Sequence, residues 1–189
     1  DRTTPLGKRN YAILLIAARL GLRSCDIADL SLDDINFIDN SIDIIQTKTG
    51  EPQTLPLLPE IKDALGEYID NGRPRTESDK IFLKAILPLG KPMNSHSIYT
   101  IVSKQFDAAN ISPKGRRRGP HTLRASLATS LLNEGNEYPV IQKILGHTSK
   151  TAAISYVKID IIHQRPFSLD VLEPTGEFKK QLTGAEVVI

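Results

Sequence analysis

Cysteine is almost missing from this sequence: Cys25 stands alone among 189 residues. One thiol excludes an internal disulfide and a cysteine-built zinc site, and it fits a reducing compartment. No apolar run can cross a bilayer. The longest, Tyr11 to Ala18, falls well short of the ~20 residues a membrane helix needs. The opening stretch, DRTTPLGKRN, is polar and has no secretory-leader pattern. An initiator methionine is lacking, so the chain is expected to be a piece of a longer protein. Internal repeats and low-complexity tracts are absent as well. Net charge is only +2, too little by itself to argue for nucleic acid. What is present is 40% hydrophobic and 24% charged residues, the balance of one globular domain with a sizeable core.

Periodicity divides the chain. Residues 6–22, LGKRNYAILLIAARLGL, predict a helix with a strongly apolar middle and Gly21 as its stop. SCDIADL predicts a short second helix, capped by Ser24. The period then drops to two, which predicts an antiparallel meander over Asp34–Ile38, Ser41–Thr47 and Pro52–Leu57, with turns at Asp39-Asn40 and Thr49-Gly50. A helix from Pro59 to Asn71 has proline in its first turn. KIFL, residues 80–83, reads as a short strand. Further helices are predicted over Asn94–Asn110, His121–Glu134, Tyr138–Leu145 and from Thr148 to about Lys158. Residues 159–189 read as an extended tail. The fold class is α+β, mainly α-helical with a small three-stranded antiparallel sheet.

Several residues have two readings each. The loop KGRRRGP concentrates Lys114, Arg116, Arg117 and Arg118. It is either a solvated surface loop or a contact for a phosphate backbone. His121 and Arg124 lie one turn apart at the start of a helix, where an anion is favoured. Arg23 is a helix-terminal cation or a guanidinium fork for phosphate oxygens. Lys48, beside a hairpin turn, is an edge lysine or a mobile general acid. His147 and Tyr156, in LGHTSKTAAISY, are a helix-end imidazole and a core phenol, or a phosphate ligand and a nucleophile.

Taken in order, these residues resemble the tyrosine recombinases, or phage-type integrases. GLRSCDIADL resembles the family's Gly-Leu-Arg stretch, with Asp26 where glutamate is more usual. TKTGEPQTLPL resembles the hairpin that carries its lysine. PHTLRASLATSLLNEG resembles the His-x-Leu-Arg box, with Ala125 where many relatives have another histidine. IQKILGHTSKTAAISY resembles the Leu-Gly-His box and the stretch leading to the tyrosine. The resemblance runs from about residue 6 to residue 158.

The resemblance implies the tyrosine-recombinase catalytic-domain fold over residues 1–158, followed by a tail over 159–189 that docks in cis or on a neighbouring protomer. It implies site-specific cleavage and rejoining of double-stranded DNA through a 3′-phosphotyrosyl link. Tyr156 would be the nucleophile, Arg23 and Arg124 the anchors of the non-bridging oxygens, and Lys48 the general acid. His121 would assist proton transfer or orient the phosphate, His147 would donate to a phosphate oxygen, and Asp26 would support from behind. It further implies no cofactor, no metal and no ATP, a DNA-dependent multimer such as a tetramer on paired sites, and a cytoplasmic, nucleoid-associated location without membrane contact. Members usually carry an N-terminal DNA-clamping helical domain, and Asp1 reads as a boundary after it. A type IB topoisomerase-like enzyme and a non-catalytic DNA-binding protein of the same fold are the alternatives.

Overall fold

In a computed structural model of the chain, residues 2–85, 89–111 and 118–146 are described here. The first helix, α1, spans Pro5–Leu15 and starts where the Thr4 hydroxyl accepts from the Gly7 amide at 3.0 Å. The predicted helix to residue 22 is not uniform. It widens into a π-helical turn, Ile16–Leu20, and stops at Gly21, whose φ of 63° is cheap for glycine. Helix α2, Ser24–Asp29, follows at once. Its cap is not Ser24 as predicted: Arg23 holds the extended cap position, and Ser24 is already helical.

The sheet has the predicted number and order of strands, antiparallel β1–β2–β3. Strand β1 is only Ile35–Asn36, because Leu32–Asp34 before it forms a 3-10 turn closed by a Ser31–Asp34 capping box. After it, the Asn36 side-chain oxygen accepts from the Ile38 and Asp39 amides and bends the chain early. Strands β2, Ser41–Ile45, and β3, Pro52–Pro56, pair in a register that sets Ile42 against Leu55 and Ile44 against Gln53. Alternation turns residues 42, 44 and 46 inward, and Gln46 is as buried as its apolar neighbours.

Helix α3 is Pro59–Asn71, as predicted, and packs against α1. KIFL is not a strand. Ile81, Phe82 and Leu83 are fully buried, yet this segment makes only isolated bridges, Ser31 to Lys80 and Leu83 to Pro92. It threads the core with its amides bonded singly, for example Ile81 N–H to the Leu30 carbonyl at 2.9 Å.

Helix α4, Ser95–Ala108, has Asn94 as its cap, accepting from the Ser97 amide at 2.9 Å. Asn94→Ala is expected to cost about 1 kcal/mol. That is a fall in melting temperature of roughly 2–4 °C for a chain of this size. An unchanged melt would show the cap to be idle. Helices α5, Pro120–Asn133, and α6, Tyr138–Leu145, build a small second apolar cluster from Ala128, Leu132, Ile141 and Leu145. The larger core joins α1, the π turn, the sheet, α3 and α4. The helix predicted from Thr148, the tail over 159–189 and the boundary between domain and tail lie outside the described residues.

Candidate functional site

Four of the predicted site residues come together. Arg23, Lys48, His121 and Arg124 line one cleft of about 540 Å³, beside Ser24, Cys25, Ser95, His96 and Tyr99. They arrive from separated parts of the chain: the cap of α2, the β2–β3 turn and the first turns of α5. The first turns of α4 and α5 both contribute, so the positive ends of two helices add to the side-chain charges. Among the described residues that line the cleft, none is acidic. His147 and Tyr156 lie outside the described residues, as do Lys114, Arg116 and Arg117. Arg118 is described, and its guanidinium is paired with Asp107 of α4.

The two arginines are held differently from ordinary surface cations. Arg124 is 3% exposed; its Nη1 donates to the Gly21 carbonyl at 2.7 Å and its Nη2 to the Leu145 carbonyl. It therefore bridges the end of the π turn to the end of α6. Arg23 donates from Nη1 to Gln46 Oε1 at 2.7 Å and from Nη2 to the Gly146 carbonyl at 3.3 Å. Gln53 donates from Nε2 to the Ile144 carbonyl at 2.6 Å. Three successive carbonyls at the end of α6, which have no partner inside the helix, are thus filled by side chains, two of them site arginines. His147 is the next residue in the chain.

Asp26 lies behind Arg23. Its Oδ2 is 3.7 Å from Arg23 Nη1, while its Oδ1 accepts from the Thr47 amide at 3.0 Å. Asp26 also lines a smaller cavity of about 190 Å³, and through its two contacts it braces both the arginine and the turn that carries Lys48. Lys48 itself is exposed. Burial pushes the Cys25 thiol above its usual range, with Asp26 adding to the effect, so the sulfur stays protonated at neutral pH.

Sequence reading passed over Gln46, Gln53, Tyr99 and Gly119. For the glutamines a signal existed: two amides at inward positions of alternating strands, where an apolar residue was due. Tyr99 lies so close to Gly119, at φ 134°, that a Cβ there would come within 2.6 Å of the ring. This fixes where α5 begins, and no local pattern announces a contact between residues so far apart in sequence. Among the described residues, no cluster of His, Cys, Asp or Glu is placed to hold a metal ion, and no helix is long and apolar enough to cross a membrane.

The chain is similar to known proteins in sequence and in fold. The model of the phage integrase family fits residues 1–161. The Sinorhizobium fredii protein y4gC, named an integrase/recombinase, is 32% identical over 89% of this chain and 85% of its own length. Tyrosine recombinase XerC of Oceanobacillus iheyensis is 30% identical over 87% of this chain but 54% of its own. Among solved structures, the post-cleavage complex of the XerH site-specific recombinase with palindromic difH superposes with a TM-score of 0.72, at 22% identity. That match covers 89% of this chain and 48% of the other, so the chain spans about half the length of XerC and XerH. The mainly helical fold around a three-stranded sheet is the one predicted, and the chain belongs to the phage integrase family.

Proposed function

We propose that this chain is the catalytic domain of a site-specific recombinase that cuts and reseals duplex DNA through Tyr156. The observation that carries the reading is the convergence of Arg23, Lys48, His121 and Arg124 on one cleft, with no acidic residue among the described ones that line it. A phosphodiester is the chemical group that such a cleft suits. The two guanidinium forks take its non-bridging oxygens, and helix N-termini add to the field. The Tyr156 oxygen attacks phosphorus and the bond to the 5′ oxygen breaks. Lys48 gives that oxygen its proton. The phosphotyrosyl bond keeps the energy of the original ester, so the reverse step reseals DNA without ATP. His121 and His147 add hydrogen bonds to the phosphate, and Asp26 holds Arg23 in place. Lys114, Arg116, Arg117 and Arg118 contact the DNA backbone.

By this reading the protein works in the cytoplasm at the nucleoid, as a multimer on paired sites. XerC and XerH are about twice as long as the part this chain matches, which is consistent with a further DNA-clamping domain in the whole protein, whereas y4gC is matched over 85% of its length. Residues 1–158 form the catalytic unit, and the tail over 159–189 docks on it or on a neighbour.

The test is capture of the covalent link. The chain is incubated with a pool of nicked duplexes with randomised flanks, in which the short cleaved strand diffuses away. A detergent-resistant adduct is expected, and digestion with mass spectrometry should place the DNA on Tyr156. Binding without an adduct would make the protein a non-catalytic DNA binder. Plasmid relaxation without exchange between two sites would make it topoisomerase-like.

A further inference from the structure

Gln46 is an anomaly of the sheet. It is 2% exposed, on the inward face that Ile42 and Ile44 begin, where another aliphatic residue would be expected. Burying an amide costs free energy unless its polar atoms are all bonded. Here they are. Oε1 accepts from Arg23 Nη1 at 2.7 Å and from the Thr49 hydroxyl at 3.0 Å. Nε2 donates to Gln53 Oε1 at 2.5 Å, and Gln53 passes the direction on to the Ile144 carbonyl.

Guanidinium can only donate, and a peptide carbonyl can only accept. Those two fixed ends determine which way both glutamine amides point. The backbone of Gln46 is equally engaged: its N–H reaches the Glu51 carbonyl at 2.9 Å, and its carbonyl accepts from the Gly50 amide at 2.8 Å. These bonds close the turn that carries Lys48. Gln46 also packs against Gly146, where a Cβ would fall 1.6 Å from its Nε2.

We propose that Gln46 is a positioning residue, which keeps Arg23, the Lys48 turn and, through Gln53, the end of α6 before His147 in mutual register. It is not among the described residues that line the cleft. Its part is to fix the first anchor of the phosphate and the proton donor relative to each other, a preorganisation that loose side chains would not supply. This inference rests on the recombinase reading.

The experiment compares the wild-type chain with Gln46→Met, which keeps the length of the side chain and removes its polarity, and with Gln53→Met. Each is tested on the duplex that the wild type selects from the randomised pool. Single-turnover cleavage and DNA binding are measured with the natural oxygen leaving group and with sulfur at the 5′ bridging position. Sulfur leaves without a proton, so it bypasses Lys48. Gln46→Met is expected to bind DNA as the wild type does and to cleave roughly 10- to 100-fold more slowly. Sulfur should shrink that deficit without erasing it, since the Arg23 share remains. A general loss of packing would slow both substrates alike, and that result, or cleavage at the wild-type rate, overturns the proposal. Should Gln46→Met fail to fold, Gln53→Met carries the test: it releases the α6 end, and an unchanged rate overturns the register. Absence of any adduct from the wild type removes the recombinase reading and this proposal with it. A wild-type adduct with an undiminished Gln46→Met removes this proposal alone.

Discussion

Arg124→Ala is expected to lower covalent DNA cleavage by roughly 100- to 1000-fold, the cost of losing one preorganised donor to a phosphoryl-transfer transition state. It should also destabilise the fold, which an ordinary active-site arginine would not do. Arg124 is buried and its fork is divided between the carbonyls of Gly21 and Leu145. Removing it strands two acceptors at helix ends and a cavity between α5 and the π turn. About 1–3 kcal/mol is lost for each buried polar group left without a partner. Arg124→Lys keeps the charge, but a point ammonium cannot serve two diverging carbonyls and a phosphate together. It should recover some stability and little cleavage. Thermal melting and single-turnover cleavage separate the two effects. An alanine variant that cleaves within tenfold of the wild type would remove Arg124 from the site.

The contrast between the two arginines shows what a sequence can and cannot carry. His121, Arg124, Arg23 and Lys48 were legible because each sits in a local pattern: a helix start, a helix stop, a turn. Their meeting in one cleft was legible only through the order of the motifs, which resembles one family. How the fold holds the arginines was not legible at all. Their carbonyl partners come from residues 103 and 21 positions away for Arg124 and 123 positions away for Arg23. A backbone carbonyl leaves no mark in the sequence. The same holds for KIFL: its composition fits a strand, but its β-pairings with the chain around it are isolated bridges to Ser31 and Pro92. The π turn, too, was hidden, since its residues have ordinary helical propensity and only Gly21 marked an end.

Gly146 is the other residue with a large expected effect. It follows the helix predicted over Tyr138–Leu145, and its first task is to stop α6, which its φ of 59° suits. The structure adds a second: a Cβ at this position would fall 1.6 Å from Gln46 Nε2 and 2.6 Å from Gln53 Oε1. Both atoms end flexible side chains, but both are held by hydrogen bonds in a buried junction. They can move only by releasing Arg23 or the Ile144 carbonyl. Gly146→Ala is therefore expected to cost about 1–2 kcal/mol for the left-handed backbone. A further ~1–3 kcal/mol comes from the broken amide contacts. Cleavage should drop on the order of 100-fold, as Arg23 and the chain entering His147 lose register. Gly135→Ala is the control. It carries a similar backbone angle, φ 84°, with nothing within 4 Å of the added carbon. That variant should lose only the backbone part of the stability and keep its cleavage rate. If the two alanine variants melt and cleave alike, the close approach at Gly146 has no role beyond ending a helix.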